Sequence, residues 1–176
     1  MLIFPPLVKR LILGSFSNTW TLSLTSNDSG QENYSYRNVI PAADISTSGD
    51  VIRVTFESST AGSFNVDNAS IMQHSGGGVG TGDIGILTFS GGSSGFSISS
   101  SSTIVSDNLV FPLNEAAEYL VVIDISSTNG NPRRLDGSGA CYQKSGDTYN
   151  SLNPGGLTGT ISRVFATNKI EVASYS

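Results

Sequence analysis

Charge is what this chain has least of. Only 13% of its residues are charged, about half the usual share of roughly 25%, and Ser, Gly, Thr and Asn carry the polarity instead. Such a surface packs closely against other proteins and hydrogen-bonds neutral partners, because few charges must be stripped of water. What charge there is runs acidic: 9 Lys and Arg against 14 Asp and Glu give a net charge of -5 and a pI near 4.6. That argues against a phosphate-backbone binder, which needs clustered cations to release counterions. Lys9-Arg10 and Arg133-Arg134 are the adjacent basic pairs, and each reads as a solvated spot.

Cysteine and histidine are nearly missing. The one cysteine, Cys141, excludes an internal disulfide and is expected in the core as a small hydrophobe. The one histidine, His74, excludes His/Cys metal clusters and gives a thiol nucleophile no ready base. Long apolar runs are missing too. The opening MLIFPPLVKRLILG, residues 1–14, is split by a basic pair and stiffened by Pro5-Pro6. No basic residues precede its apolar part and no small-residue cleavage site follows, so it reads neither as a signal peptide nor as a membrane span. It is expected to be an extended arm carried by Leu2, Ile3, Phe4, Leu7, Val8, Leu11, Ile12 and Leu13. That arm either lies on a neighbouring subunit or supplies the first strand; residues 15–176 form the domain.

Helical periodicity is also lacking, and period-2 alternation takes its place. SNTWTLSLT at 17–25 puts Trp20, Leu22 and Leu24 on one face, which assigns Trp20 to the core. Further strands are expected at Tyr34 to Ile40, stopped by Pro41, at Val51 to Glu57, and at 64–72 with a break near Asp67-Asn68. The stretch 83–126 organises the rest: short strands punctuated by Gly, Ser and Asn, ending in the most apolar run, Tyr119-Leu120-Val121-Val122-Ile123. One helical turn is expected at Asn114 to Glu118. Loops are expected at 74–83, 127–139 and 145–159, with a short strand at Cys141-Tyr142-Gln143 and a closing pair at 159–166 and 169–174. Many short strands at close spacing give an all-β class, a single β-sandwich of jelly-roll type with long Gly/Ser/Asn-rich loops.

The order VIRVTFES, NASIMQH, GILTFSGGSSGFSI and VSDNLVFPLNEAAEYLVVIDIS, roughly Val51 to Ser126, resembles the β-sandwich modules that accompany SGNH (GDSL-type) hydrolases of polysaccharide-degrading systems. Similar modules occur in bacteriophage virion proteins. FATNKIEV at 165–172 is similar to their last strand. The most specific pieces are the Thr88 to Gly92 turn, the Ser106-Asp107 pair and the strand from Glu118. The resemblance implies a jelly-roll accessory module whose family keeps its chemistry on a separate α/β domain, which nothing in these residues matches.

A hydrolase of that family would need a Gly-Asp-Ser nucleophile and a late Asp-x-x-His pair. The nearest stretch, Gly146-Asp147-Thr148, has Thr for Ser and no His after it, so turn chemistry explains it. His74 would need an orienting carboxylate, for which Asp83 is a candidate. Asp107, Glu115, Glu118 and Asp124 are scattered acids; Asp124, inside an apolar strand, is expected to face outward. No catalytic residue and no cofactor is assigned. A Ca²⁺ ion is the one metal the donor types allow, held by Asp136-Gly137-Ser138-Gly139 or by Asn65-Val66-Asp67-Asn68.

The functional expectation is a non-enzymatic virion structural protein, a head-decorating (cement) protein or a spike or fibre component. It would be made in the host cytoplasm and pack against copies of itself or other virion proteins, without nucleic acid or membrane. The alternative is a carbohydrate-binding module that takes a polysaccharide on late-loop aromatics and amides: Tyr142, Gln143, Tyr149, Asn150 and Asn153. Tyr34 and Tyr36 are a second choice.

Overall fold

The computed structural model describes residues 11–176. Leu2, Ile3, Phe4, Leu7, Val8 and the Lys9-Arg10 pair therefore lie outside the described residues. Thirteen strands follow in chain order: β1 (Ser17–Thr21), β2 (Ser26–Asn27), β3 (Tyr34–Ile40), β4 (Gly49–Glu57), β5 (Phe64–Gly76), β6 (Val79–Leu87), β7 (Phe96–Ile98), β8 (Thr103–Val105), β9 (Leu109–Leu113), β10 (Tyr119–Gly130), β11 (Arg133–Ser145), β12 (Thr158–Phe165) and β13 (Thr167–Ala173). Among the described residues the helical content is one 3-10 turn, Ala42–Asp44.

The strands form two antiparallel sheets. One runs β1-β13-β4 and then β8 and β9; the other runs β12-β11-β3-β10-β5-β6, with β2 on β11 and β7 on β5. The pairings nest: β1 with β13, β3 with β10, β4 with β8 and β9, and β5 with β6. A long antiparallel ribbon with its tip at the β5–β6 turn, wrapped so that alternate pairs fall in opposite sheets, is a jelly roll. The β11–β12 hairpin is added between β10 and β13 and widens the second sheet beyond β3.

Alternation along each strand decides the layers. Ile52, Val54 and Phe56 of β4 and Ile170 and Val172 of β13 face Tyr36, Ile71, Val121 and Ile123 of the other sheet in one buried core. Trp20 joins it at 4% exposure, as its alternation with Leu22 and Leu24 predicts. Phe56, Phe64, Phe89 and Phe96 pack ring against ring at one end.

Several expected loops are strands. β10 continues to Gly130 and β11 begins at Arg133, so the span 127–139 is mostly strand, its two halves parted in the sheet by β3, and Cys141 to Gln143 lies inside a 13-residue strand. The Gly-rich span 74–83 likewise holds the end of β5, a turn at Gly77 and Gly78 with positive φ, and the start of β6. Backbone pairing, to which polar side chains are indifferent, carries these segments. The break expected near Asp67-Asn68 is a bulge: Asn68 faces Asp124 and Val66 faces Ile125, leaving Asp67 unmatched. The helical turn expected at Asn114 is a β-turn, closed by Ala117 N–H donating to the Asn114 carbonyl at 3.1 Å.

The closing strands do not pair with each other. β12 and β13 lie in different sheets, separated by Ala166, a buried residue at φ 57. Asn38 of β3, fully buried between the sheets, holds this corner. Its Nδ2 donates to the Phe165 carbonyl at 2.9 Å and to Thr167 Oγ1 at 3.2 Å, and its Oδ1 accepts the Phe165 N–H at 2.9 Å. The Ser106-Asp107 pair is architectural as well. Asp107 accepts the N–H groups of Gly91 and Gly92 at 3.0 and 2.8 Å and the Thr88 hydroxyl at 3.0 Å, bracing the Ser90–Gly92 turn. These donors hold its carboxyl below the usual carboxylate range.

Candidate functional site

The second sheet is covered on its outer side. Val39, Met72, Leu120 and Val122 form a second buried cluster there, with Tyr142, Tyr149 and Leu152 packed over it. The cover is the segment 146–157, fixed at several points from below. Asp124, 1% exposed, accepts the Thr148 N–H at 3.0 Å and the Tyr149 N–H at 3.0 Å. Arg37, fully buried, donates to the Ser151 carbonyl at 3.0 Å and reaches Leu152 O at 3.4 Å. Ser70 donates to the Tyr149 carbonyl at 2.6 Å, and Lys144 to Pro154 O at 2.8 Å.

Asp124 does point outward, as expected, but onto a buried amide pair rather than into water. Burial pushes its carboxyl up, against the Ser35 hydroxyl and the two backbone donors. Burial also brings the Arg37 guanidinium down to about 10, opposed by the charge of Asp124. Together they act as a polar staple under the covering segment, and Thr148, of the Gly-Asp-Thr stretch, is buried within it.

The two tyrosines of the nominated sugar platform share one cluster, and its amides stand around them. Tyr142 and Tyr149 are half-buried and turned onto the second cluster. A Cβ at Gly78 would lie 2.5 Å from the Tyr142 ring, so the β5–β6 turn sits directly against that residue. Gln143 is half-buried in β11, while Asn150 and Asn153 stand exposed on the covering segment. Tyr36 is buried, its ring stacked on Phe165 at 4.1 Å, and Tyr34 is 37% exposed beside it.

His74 meets Glu118 rather than Asp83, with Nδ1 and Oε2 3.2 Å apart. Its Nε2 faces the Gly78 N–H at 3.4 Å, so both ring nitrogens point at protein groups rather than a nucleophile. Asp136, proposed for Ca²⁺, lies between Arg134 and Arg163 at 2.9 and 2.8 Å. Asn65, proposed in the other Ca²⁺ set, accepts from Ser97 at 2.6 Å. Arg133 and Arg134 are ion-paired with Glu57 and Asp28 instead of solvated. Among the described residues no group of three or more His, Cys, Asp and Glu is placed to hold a metal, and no helix is long and apolar enough to cross a membrane.

Two surfaces remain with unpartnered chemistry. Residues 12–14 lie beside the end of the chain: Gly14 N–H donates to the Ser174 carbonyl at 3.0 Å, and Ser176 N–H to that of Ile12 at 3.1 Å. This prolongs the outer edge of the first sheet beyond β1. Leu13 bridges Tyr175 there, while Leu11 and Ile12 are each 62% exposed. Val110, 69% exposed, stands on β9 opposite Val51, which pairs with Ala173 on its other side. The other surface is a cleft between β6 and β9 lined by Gln73, Thr81, Asp83 and Phe111, which sequence reasoning missed. Its one signal was glycine inside a strand pattern, at Gly80 and Gly82, which marks a bulge.

Compared with protein-family models and with curated proteins, the chain matches none.

Proposed function

We propose that this protein is a non-enzymatic structural component of a bacteriophage virion, packing through the edge of its first sheet against copies of itself or another virion protein. The observation that carries the reading is the exposure of Leu11, Ile12 and Tyr175 where the outer strand β1 of that sheet is prolonged towards residue 12. An open edge with large apolar neighbours invites another chain to pair with it, and monomeric proteins usually blunt such edges with charge or proline. The low overall charge favours the same use, since close packing then desolvates few ions. The jelly roll is an architecture shared by capsid and lectin domains, so the fold is compatible with the reading without requiring it.

Light scattering tests it, on the full chain and on a form beginning at Ser15. The full chain is expected to be an oligomer and the shortened form a folded monomer with an unchanged far-ultraviolet spectrum. Two folded monomers would remove the edge from consideration as an assembly device. A shortened form that unfolds would make residues 1–14 a strand of the domain, and Leu11→Ser with Ile12→Ser in the full chain would then decide the question.

A further inference from the structure

We infer that the cleft between β6 and β9 is a binding subsite for a single neutral sugar ring. It has a volume of about 190 Å³ and sits where the edge strand of the second sheet approaches an edge strand of the first. Drug-sized ligands occupy roughly 300 Å³ and more, so a cleft of this size takes one ring.

The cleft is shaped by a bulge. Met72 pairs with Ile84 but Gln73 pairs with Thr81, which leaves Gly82 and Asp83 without partners across the ladder. Gly82 adopts φ +70, and a Cβ there would meet nothing within 4 Å. Glycine is thus required by the backbone and not by crowding. Bulges of this kind re-aim side chains and recur beside binding sites. Here the bulge sets Asp83 next to Thr81 and Gln73, all three exposed on one rim. The opposite wall is Phe111 and Tyr119, buried and packed edge to face at 6.0 Å and 72°.

That pairing of rim and wall selects the ligand. A carboxylate, an amide and a hydroxyl together offer both donors and acceptors, which matches sugar hydroxyls that donate and accept in turn. The apolar wall suits the C–H groups of the ring. A basic side chain would find a single carboxylate but no use for the donors that Gln73 and Thr81 supply. Asp107 shows the contrast: its carboxylate is consumed by the turn it braces, whereas Asp83 is exposed at the rim with no side-chain hydrogen bond among the described residues. The subsite does not depend on self-assembly, because a monomer would carry it equally.

The test is an amide-resolved NMR titration of the full chain with glucose, galactose, mannose and N-acetylglucosamine, each to tens of millimolar. At least one is expected to shift Gln73, Thr81 to Asp83 and Phe111, with the late segment unmoved. Asp83→Ala and Gln73→Ala should each weaken that sugar by about tenfold, roughly the net value of one hydrogen bond. Gln73→Ala, on an exposed position, keeps the test decisive if Asp83→Ala disturbs the bulge. The assignment fails if no sugar moves these amides, if the shifts centre on Tyr142 and Tyr149 to Asn153, or if both variants bind as tightly as the parent. It also fails if free arginine or lysine shifts the rim where sugars do not, which would mark a dock for a basic side chain.

Discussion

Replacing Asn38 by leucine, a side chain of similar size, should destabilise the protein more than any surface change, and the structure sets the scale. The amide makes three buried hydrogen bonds, and two of them satisfy both polar groups of the Phe165 backbone. Leucine leaves that N–H and carbonyl without partners between the sheets. Each orphaned group costs about 1–3 kcal/mol, while the added apolar burial returns about 1–2 kcal/mol. At the middle of those ranges the net loss is about 2–3 kcal/mol, a large share of a typical stability of about 5–15 kcal/mol. At about 2–4 °C per kcal/mol for a domain of this size, the melting point should fall by roughly 4–12 °C. Urea unfolding followed through Trp20, the single tryptophan and a core residue, gives the number directly. Asn38→Asp is the informative partner variant. It keeps an acceptor for the Phe165 N–H but buries a charge, so it should be less stable at neutral than at acid pH, where the protonated carboxyl can donate. If Asn38→Leu stays within about 0.5 kcal/mol of the parent, the claim that this amide pins the β12–β13 corner is wrong.

The corner itself offers a second test: Ala166→Val should lower the urea midpoint sharply, because a β-branched side chain at φ 57 in a buried site clashes with its own backbone, whereas Ala166→Gly should stay close to the parent. Asp124 gives a pH test. Its carboxyl is raised by burial, so the folded state holds its proton more tightly than the unfolded state, and its contribution to stability declines as pH rises from the ordinary aspartate range through the raised value. Asp124→Asn removes that decline. The difference in stability, variant minus parent, should therefore grow with pH across the window, starting from a deficit at acid pH where the protonated parent still holds the Thr148 and Tyr149 amides; paired urea titrations at several pH values would show a flat difference if the carboxyl titrates normally.

The fold was largely legible because the core uses strong signals. VIRVTFE and the Trp20 alternation place apolar residues at period 2, and the Tyr119 to Ile123 run is apolar throughout because both of its faces are buried. The failures have one physical origin. Residues 127–139 and 74–83 are rich in Gly, Asn and Ser, so they look like loops, yet their ladders are made by backbone groups that composition does not report. Positive φ at Gly76, Gly77, Gly78 and Gly82 then serves a turn and a bulge inside continuous pairing. The candidate sites suffered from the same blindness at longer range. Tyr142 and Tyr149 look like exposed loop aromatics, but Tyr142 is placed by the pairing of β11 with β3, and Tyr149 by the Asp124 and Arg37 contacts with residues 24 and 114 positions away.

That inward turn decides where binding chemistry can lie. A jelly roll offers an outer face on each sheet, and here the covering segment closes part of one of them over a buried apolar cluster. On the other, Arg53 and Lys169 are both committed to Glu171, at 2.9 and 3.3 Å, and Arg53 also lies over the Phe16 ring at 4.3 Å, so the charged middle of that face is neutralised internally. What stays open is peripheral: the apolar end of the first sheet near Leu11 and Tyr175, and the bulged rim near Asp83. The first is apolar, and association through it depends on excluding water from a neighbouring protein surface. The second is small and polar with one aromatic wall, and fits a single ring rather than a chain. The two proposed surfaces are separate, because Leu11 and Ile12 extend the β1 edge of the first sheet while Asp83 belongs to β6 at the far edge of the second.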